Sequence, residues 1–380
     1  MSKTEGLNLC ELERYSRQLC LSEIGEEGQR RLKHASVLVV GLGGLGSPLA
    51  VYLAAAGVGQ LGLCEFDAVS LSNLQRQILY TADDLGRPKL WQAKARIEQQ
   101  NTDIKVTGHE GPLDVSNAAA IIGRYDVVAD GTDNFATRYL LNDVCWKLGK
   151  PLVMASVQRF EGQLTVFEAA NGPCYRCLFP APPRGVFSCA AGGVLGVLPG
   201  ILGTLQAAET LKLLLGIGSL LRGRLLLVDA LRMRFTELAI PRDPGCALCG
   251  TDPRSPISED YEAFCADSLP TASEEVEDWE LTPRAFLEQR EEVELIDLRE
   301  NTQGAGDELP GARQLAWDDL AVTLGELRPE RCYVVCCWNG SRSLQAVRVL
   351  RAAGFSRSFS LKGGLPALLH EVRTSGGGDA

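Results

Sequence analysis

Three groups of residues carry types and spacings that could do chemistry. Near the C-terminal end stands Cys336-Cys337-Trp338-Asn339-Gly340-Ser341-Arg342, and counting from Cys337 gives C-x4-R. A loop of that length wraps backbone N–H groups around one sulfur, and a following helix adds the positive end of its dipole. Such a nest, with Arg342, lowers a thiol's pKa and stabilises an anionic persulfide, so Cys337 is read as the sulfur carrier. A phosphatase loop of this design is one residue longer because it must hold a whole phosphate. Strand alternation turns one of the adjacent pair into the core, and Cys336 is read as that packing residue. The histidines, His34, His109 and His370, are all distant from the loop in sequence, and an ionised thiol needs no general base.

The second group is two C-x-x-C pairs, Cys174/Cys177 and Cys246/Cys249. Four thiolates make a closed tetrahedral set suited to structural Zn²⁺, with no open position for catalysis. A redox dithiol is the competing reading of one pair, and the presence of two pairs favours metal. The third group is "GLGGLG", which places Gly41, Gly43 and Gly46 in G-x-G-x-x-G. This is a tight turn that lets backbone and a helix N-terminus approach a phosphate. Glu65 follows at the end of the next expected strand and can accept from a ribose hydroxyl. Alone, this pattern fits a dinucleotide-binding dehydrogenase equally well. The polar loop with Asn73, Arg76 and Gln77, followed by Lys89, shifts the reading. An uncleaved dinucleotide needs little cationic help, whereas a triphosphate losing pyrophosphate needs it. Asp133 and Asn134 in "DGTDN" follow a later strand, where such sheets bind ligands, and Asp133 can hold Mg²⁺.

These residues need an α/β framework to position them. "SVLVV" reads as a strand buried on both faces, followed by a helix from about Ser47 to Ala56 that stops at Gly57. "DVVAD", "PLVMASV" and "GQLTVF" continue a largely parallel sheet, and Gly193 to Leu215 reads as one core helix. A second, smaller α/β unit is expected from "VELIDLRE" as strand, "PGARQLAWDDL" as turn and helix, "CYVVCC" as strand, "SLQAVRVLRAAG" as helix and "SFSLKGG" as strand and turn. The boundaries read as 1–250, an acidic linker 251–280, and 281–380. The linker holds ten acids and Arg254, a charge of −9 out of the chain's −10. "DYEAFC" within it is apolar enough to dock. No basic stripe points to nucleic acid. No run of eighteen apolar residues and no apolar leader are present, so the expectation is a soluble cytoplasmic protein. Its thirteen cysteines then serve metal and catalysis rather than disulfides.

In this order "RYSRQL" (14–19), "GLGGLG", "SNLQRQ", "GRPK", "GTDN" and "CYRC" resemble the MoeB/ThiF family of ATP-dependent adenylyltransferases, relatives of ubiquitin-activating enzymes, over about residues 11–250. The resemblance implies that the C-terminal Gly-Gly of a small ubiquitin-like sulfur-carrier protein attacks the α-phosphate of ATP, giving an acyl-adenylate and pyrophosphate. By that pattern Gly44 lies on the phosphates. Glu65 and the stretch Ser72, Asn73, Leu74, Gln75 and Arg76 lie on ribose and phosphates, Lys89 on phosphate, and Asp133 on Mg²⁺ beside Asn134. Arg17 would reach across a homodimer interface. The family usually has Asp where this chain has Glu65. It places a cysteine that forms a covalent intermediate in the segment holding Cys189, and Ala191 stands where an acid is often found.

The last hundred residues resemble a rhodanese domain through "LIDLRE", "LPGARQL", the Cys337 loop and "LKGGLPAL", with Leu309 where a His is frequent. Together the two resemblances imply a fused adenylyltransferase/sulfurtransferase serving molybdopterin synthase and Urm-type carriers, for molybdenum cofactor biosynthesis or tRNA thiolation, and charged by an upstream donor of the cysteine-desulfurase type. The rival readings are an activating enzyme that passes a modifier onward as a Cys189 thioester, and a scaffold that has lost catalysis.

Overall fold

A β-branched run with no polar interruption can form a strand only where both faces are covered. Ser36–Val40 is such a strand, β1, with four of its five residues buried. In the computed structural model, which describes residues 6–169, 172–182, 193–253, 260–261, 279–299, 309–316, 319–338 and 340–375, β1 lies inside an eight-stranded sheet. The others are β2 (Gln60–Cys64), β3 (Lys105–His109), β4 (Val127–Asp130), β5 (Leu152–Gln158), β6 (Glu161–Phe167), β7 (Arg224–Asp229) and β8 (Arg234–Ala239). Their order is β3-β2-β1-β4-β5-β6-β7-β8. β3 through β5 in that order are parallel, and the pairs from β5 to β8 are antiparallel. Strand order reverses between β1 and β4, which opens a crevice at their carboxyl ends.

The helix Gly46–Ala55 follows β1, and the helix Val197–Leu215 packs across it and over β5 and β6. Val197–Leu215 is shorter than expected at its start. Val194 pairs in an isolated bridge with Arg159, and Gly193 has φ +74°, so the first residues extend the sheet rather than the helix. No helix among the described residues is long and apolar enough to cross a membrane.

The chain divides into two compact units, Met1–Leu269 and Pro270–Ala380. Within the first, Tyr261 of the acidic stretch is buried in the core formed by Tyr139, Tyr175 and Phe167. The second unit holds a five-stranded parallel sheet of β9 (Glu280–Leu281), β10 (Glu294–Asp297), β11 (Ala312–Gln314), β12 (Tyr333–Cys336) and β13 (Ser358–Leu361), ordered β11-β10-β12-β13-β9. The segment expected as turn and helix supplies the edge strand β11 instead, and its helix is only Leu320–Thr323. Three residues gain a ladder against β10 there, more than a lone turn of helix would provide. Helices Ser341–Ala352 and Gly364–Ser375 cover the sheet, with one apolar cluster on each face.

Candidate active sites

The glycines after β1 let backbone segments meet where a side chain would not fit. A Cβ on Gly46 would lie 1.8 Å from the Gly41 carbonyl oxygen, and Gly41 itself has φ +83°. The turn is braced by Glu65: its Oε2 accepts from the Leu42 N–H at 2.9 Å, and its Oε1 from the Phe66 and Asp67 N–H groups at 2.8 and 3.0 Å. The expected ribose acceptor therefore also fixes the loop. Tyr80 adds its hydroxyl to the Leu42 carbonyl at 2.9 Å.

Around this turn is an open cleft with about 870 Å³ of empty space. It brings together Gly41, Gly43, Gly44, Glu65, Arg76, Lys89, Asp133 and Asn134. Lys89 opens the helix Lys89–Gln100, is buried, and donates to Asp67 Oδ2 at 3.0 Å. Arg76 is held through its Nη1 by the Ser72 carbonyl at 3.1 Å. Asn134 Oδ1 accepts from the Thr137 N–H at 2.8 Å, so it caps the helix Phe135–Leu148 while facing the cleft. Ser72, Asn73, Leu74 and Gln75 form the short turn behind Arg76 and do not line the cleft; Gly46 sits beneath it. Arg17 is exposed on the helix Ser16–Leu19, outside the cleft lining.

Sequence reasoning missed Asp67, whose only signal was an acid two residues after Glu65, and a buried pair beneath the cleft. Asp130 ends β4 and accepts from the Thr132 N–H and hydroxyl at 2.9 and 2.7 Å, with Arg138 Nε 3.8 Å from its other oxygen. Burial pushes the Asp130 carboxyl up, opposed by Arg138 and the Thr132 hydrogen bonds.

The four cysteines of the C-x-x-C pairs converge. Their sulfurs all lie within 4.8 Å of one another, with Cys174–Cys246 at 3.6 Å and Cys177–Cys249 at 3.2 Å. A tetrahedral ion with metal–sulfur bonds of about 2.3 Å would set sulfurs roughly 3.8 Å apart, so the set fits one. Burial pushes the Cys174 thiol up, a cost that a bound cation reverses.

In the second unit Cys337 follows β12 directly. Its sulfur accepts from the Gly340 N–H at 3.2 Å and the Ser343 N–H at 3.4 Å, and the Ser343 hydroxyl is 3.4 Å away. Gly340 has φ +90°, and its carbonyl accepts from Ser343 Oγ at 2.9 Å and Ser360 Oγ at 3.3 Å. Those two buried hydroxyls fix the carbonyl of Gly340, the residue whose own N–H donates to the sulfur. Arg342 stands half-buried in the first turn of the helix Ser341–Ala352. Cys336 faces the other apolar cluster, fully buried, and burial with nearby Asp297 pushes its thiol up to about 12. Cys189 and Ala191 fall outside the described residues.

Residues 15–248 match the ThiF family, and residues 282–371 match the rhodanese-like domain. The chain belongs to the ThiF family. A "sulfur carrier protein adenylyltransferase" of Thermus thermophilus is 52% identical over 262 residues, which span 67% of this chain and 97% of that protein. The "adenylyltransferase and sulfurtransferase MOCS3" of Aedes aegypti is 40% identical over 394 residues, spanning 96% of this chain and 88% of its own. Among solved structures, Escherichia coli MccB with MccA-N7isoASN shares the fold, with a TM-score of 0.57 and 19% identity over 66% of this chain and 77% of that one. This ThiF-family chain is thus an enzyme of two activities, adenylyltransferase and sulfurtransferase, in one polypeptide.

Proposed function

We propose that the first unit uses ATP to adenylate the C-terminal glycine of a ubiquitin-like sulfur-carrier protein, and that Cys337 then delivers sulfur to it, for molybdenum cofactor biosynthesis or tRNA thiolation. The observation that carries the reading is the pairing, in one chain, of a cleft holding Lys89, Arg76 and Asp133 around a glycine turn with a thiol that accepts two backbone N–H groups. Lys89 and Arg76 take the phosphates, the glycine turn admits them, and Asp133 with Asn134 holds Mg²⁺, which would offset charge on the departing pyrophosphate. The Cys₄ set holds Zn²⁺ as a clamp between the loop at 174–177 and the chain at 246–249. Arg17 completes the cleft of a second copy in a homodimer.

A donor of the cysteine-desulfurase type leaves a persulfide on Cys337. The terminal persulfide sulfur attacks the acyl carbon of the adenylate, AMP leaves, and an acyl disulfide joins carrier and Cys337. The Cys189 thiolate then attacks the Cys337 sulfur, releasing the carrier thiocarboxylate and leaving a Cys189–Cys337 disulfide that an external thiol reduces. The relative named as a sulfur-carrier adenylyltransferase and the rhodanese-like domain favour this over onward transfer of a modifier as a thioester.

The test is mass spectrometry of a Gly-Gly carrier after incubation with ATP, Mg²⁺ and a persulfide donor. Replacement of one oxygen by one sulfur is expected. ATP–pyrophosphate exchange without any such gain would overturn the sulfur half; no exchange with any Gly-Gly carrier would overturn both.

A further inference from the structure

Trp338 is the residue next to the reacting thiol. Cys337 is 2% exposed, yet the indole beside it is 52% exposed. Exposed side chains are ordinarily free to move, but this one rests on a fixed cation. The Arg299 guanidinium lies 5.1 Å from the ring centroid. Arg299 is itself fully buried and bound to Asp297 through Nε at 2.9 Å and Nη2 at 2.7 Å. Asp297 ends β10 and accepts in addition from Gln314 Nε2, on β11, at 2.7 Å. A chain of charge-assisted contacts through two strands therefore holds the cation on which the indole rests, one residue after the sulfur carrier.

A pre-ordered aromatic face binds with little loss of conformational freedom. Its match in the proposed reaction is the acceptor's end. A Gly-Gly terminus has no side chains to recognise, only flat peptide planes and CH₂ groups that can lie close against a ring. We propose that Trp338 is a specificity-determining residue, its indole acting as the platform on which the Gly-Gly acyl end of the carrier lies while the Cys337 persulfide attacks. This rests on the proposed carrier function and adds the residue that recognises the acceptor in the second step.

The experiment uses the full chain, with Cys337 loaded from thiosulfate, a reaction that forms the persulfide and releases sulfite. Three readouts follow: ATP–pyrophosphate exchange with a Gly-Gly carrier, thiocarboxylate formation on that carrier, and sulfur transfer from the persulfide to cyanide as thiocyanate. For Trp338→Ala the expectation is unchanged exchange, cyanide transfer within about twofold of wild type, and carrier transfer reduced on the order of tenfold, mainly through KM. Trp338→Phe keeps a ring face and restores most of the carrier transfer. Carrier transfer at the wild-type rate in Trp338→Ala overturns the proposal. So does a parallel fall in cyanide transfer, which would make Trp338 a support of the loop rather than a reader of the acceptor. If the wild-type chain passes sulfur to cyanide but never to a Gly-Gly carrier, the carrier function fails, and this assignment with it.

Discussion

Tyr261 donates its hydroxyl to Asp143 Oδ2 at 2.9 Å, on a carboxylate that Arg176 already grips at 2.8 and 2.7 Å. All three are buried, and Arg176 lies between Cys174 and Cys177. The acidic stretch is thus tied to the cysteine cluster through a single carboxylate. Tyr261→Phe removes one hydrogen bond to a charged group and is expected to cost about 1.5–3 kcal/mol. Asp143→Ala strands the Arg176 charge and is expected to cost more, about 3–5 kcal/mol. Urea denaturation of the two variants checks the order; equal losses would show that the phenol contributes as much as the carboxylate it touches.

Gly46→Ala is expected to abolish nucleotide binding. The new methyl would sit 1.8 Å from the Gly41 carbonyl oxygen, a backbone atom that cannot swing aside. At Gly44 the nearest atom is Pro199 Cβ at 3.0 Å, which a shift of a few tenths of an ångström relieves. Gly44→Ala should therefore retain measurable ATP–pyrophosphate exchange where Gly46→Ala shows none, and melting curves of both variants separate loss of the site from loss of the fold.

Lys89→Met tests the cation in the cleft. Its partner Asp67 has a side chain 56% exposed, so the carboxylate left behind is resolvated and stability should change little, by less than about 1 kcal/mol. Exchange should fall on the order of 100-fold if the ammonium stabilises the developing pyrophosphate charge. A large stability loss with modest loss of exchange would recast Lys89 as a structural ion-pair partner.

The Cys₄ set should hold one divalent ion per chain. Titrating the thiols with a mercurial is expected to release one equivalent of Zn²⁺, read with a metallochromic dye. Removing it should lower Tm, by roughly 5–10 °C, because Arg176 and Tyr261 lean on the same loop. Release of no metal, with an unchanged Tm, would make the set a dithiol pair instead.

What was legible in the sequence was whatever carries its own local signal. The β-branched run of β1, the glycine spacing, the paired C-x-x-C and the count from Cys337 to Arg342 each state a geometry within a few residues. The strand β11 was not legible: Ala312–Gln314 is short and polar, and it is a strand only because β10 offers it a ladder. Nor were Asp130–Arg138, Asp297–Arg299 or Tyr261–Asp143. A buried ion pair or phenol contact depends on which chain segments the fold brings together, and acids in a charged stretch look alike until one neighbour is buried. Glu65 was legible as an acid at a strand end, but its grip on the Leu42 N–H depends on the turn being formed.

Cys336 and Cys337 are adjacent in sequence and opposite in surroundings. Cys337 accepts two N–H groups, whereas Cys336 lies in an apolar cluster with its thiol pushed up to about 12 by burial. Cys337→Ala should abolish sulfur transfer to cyanide and leave ATP–pyrophosphate exchange intact; Cys336→Ala should keep both and lose stability through a small cavity, about 1–2 kcal/mol. The pH dependence follows from the same shift. Folding raises the Cys336 pKa above its ordinary value near 9, so the folded state retains a proton that the unfolded chain gives up. Its contribution is fully present below pH 9 and is lost as pH rises from there toward 12. Wild type should therefore lose stability over that window by more than Cys336→Ala does, and denaturation midpoints at pH 8 and pH 10.5 measure the difference. An identical slope in the two proteins would mean that the Cys336 thiol titrates as it does in the unfolded chain.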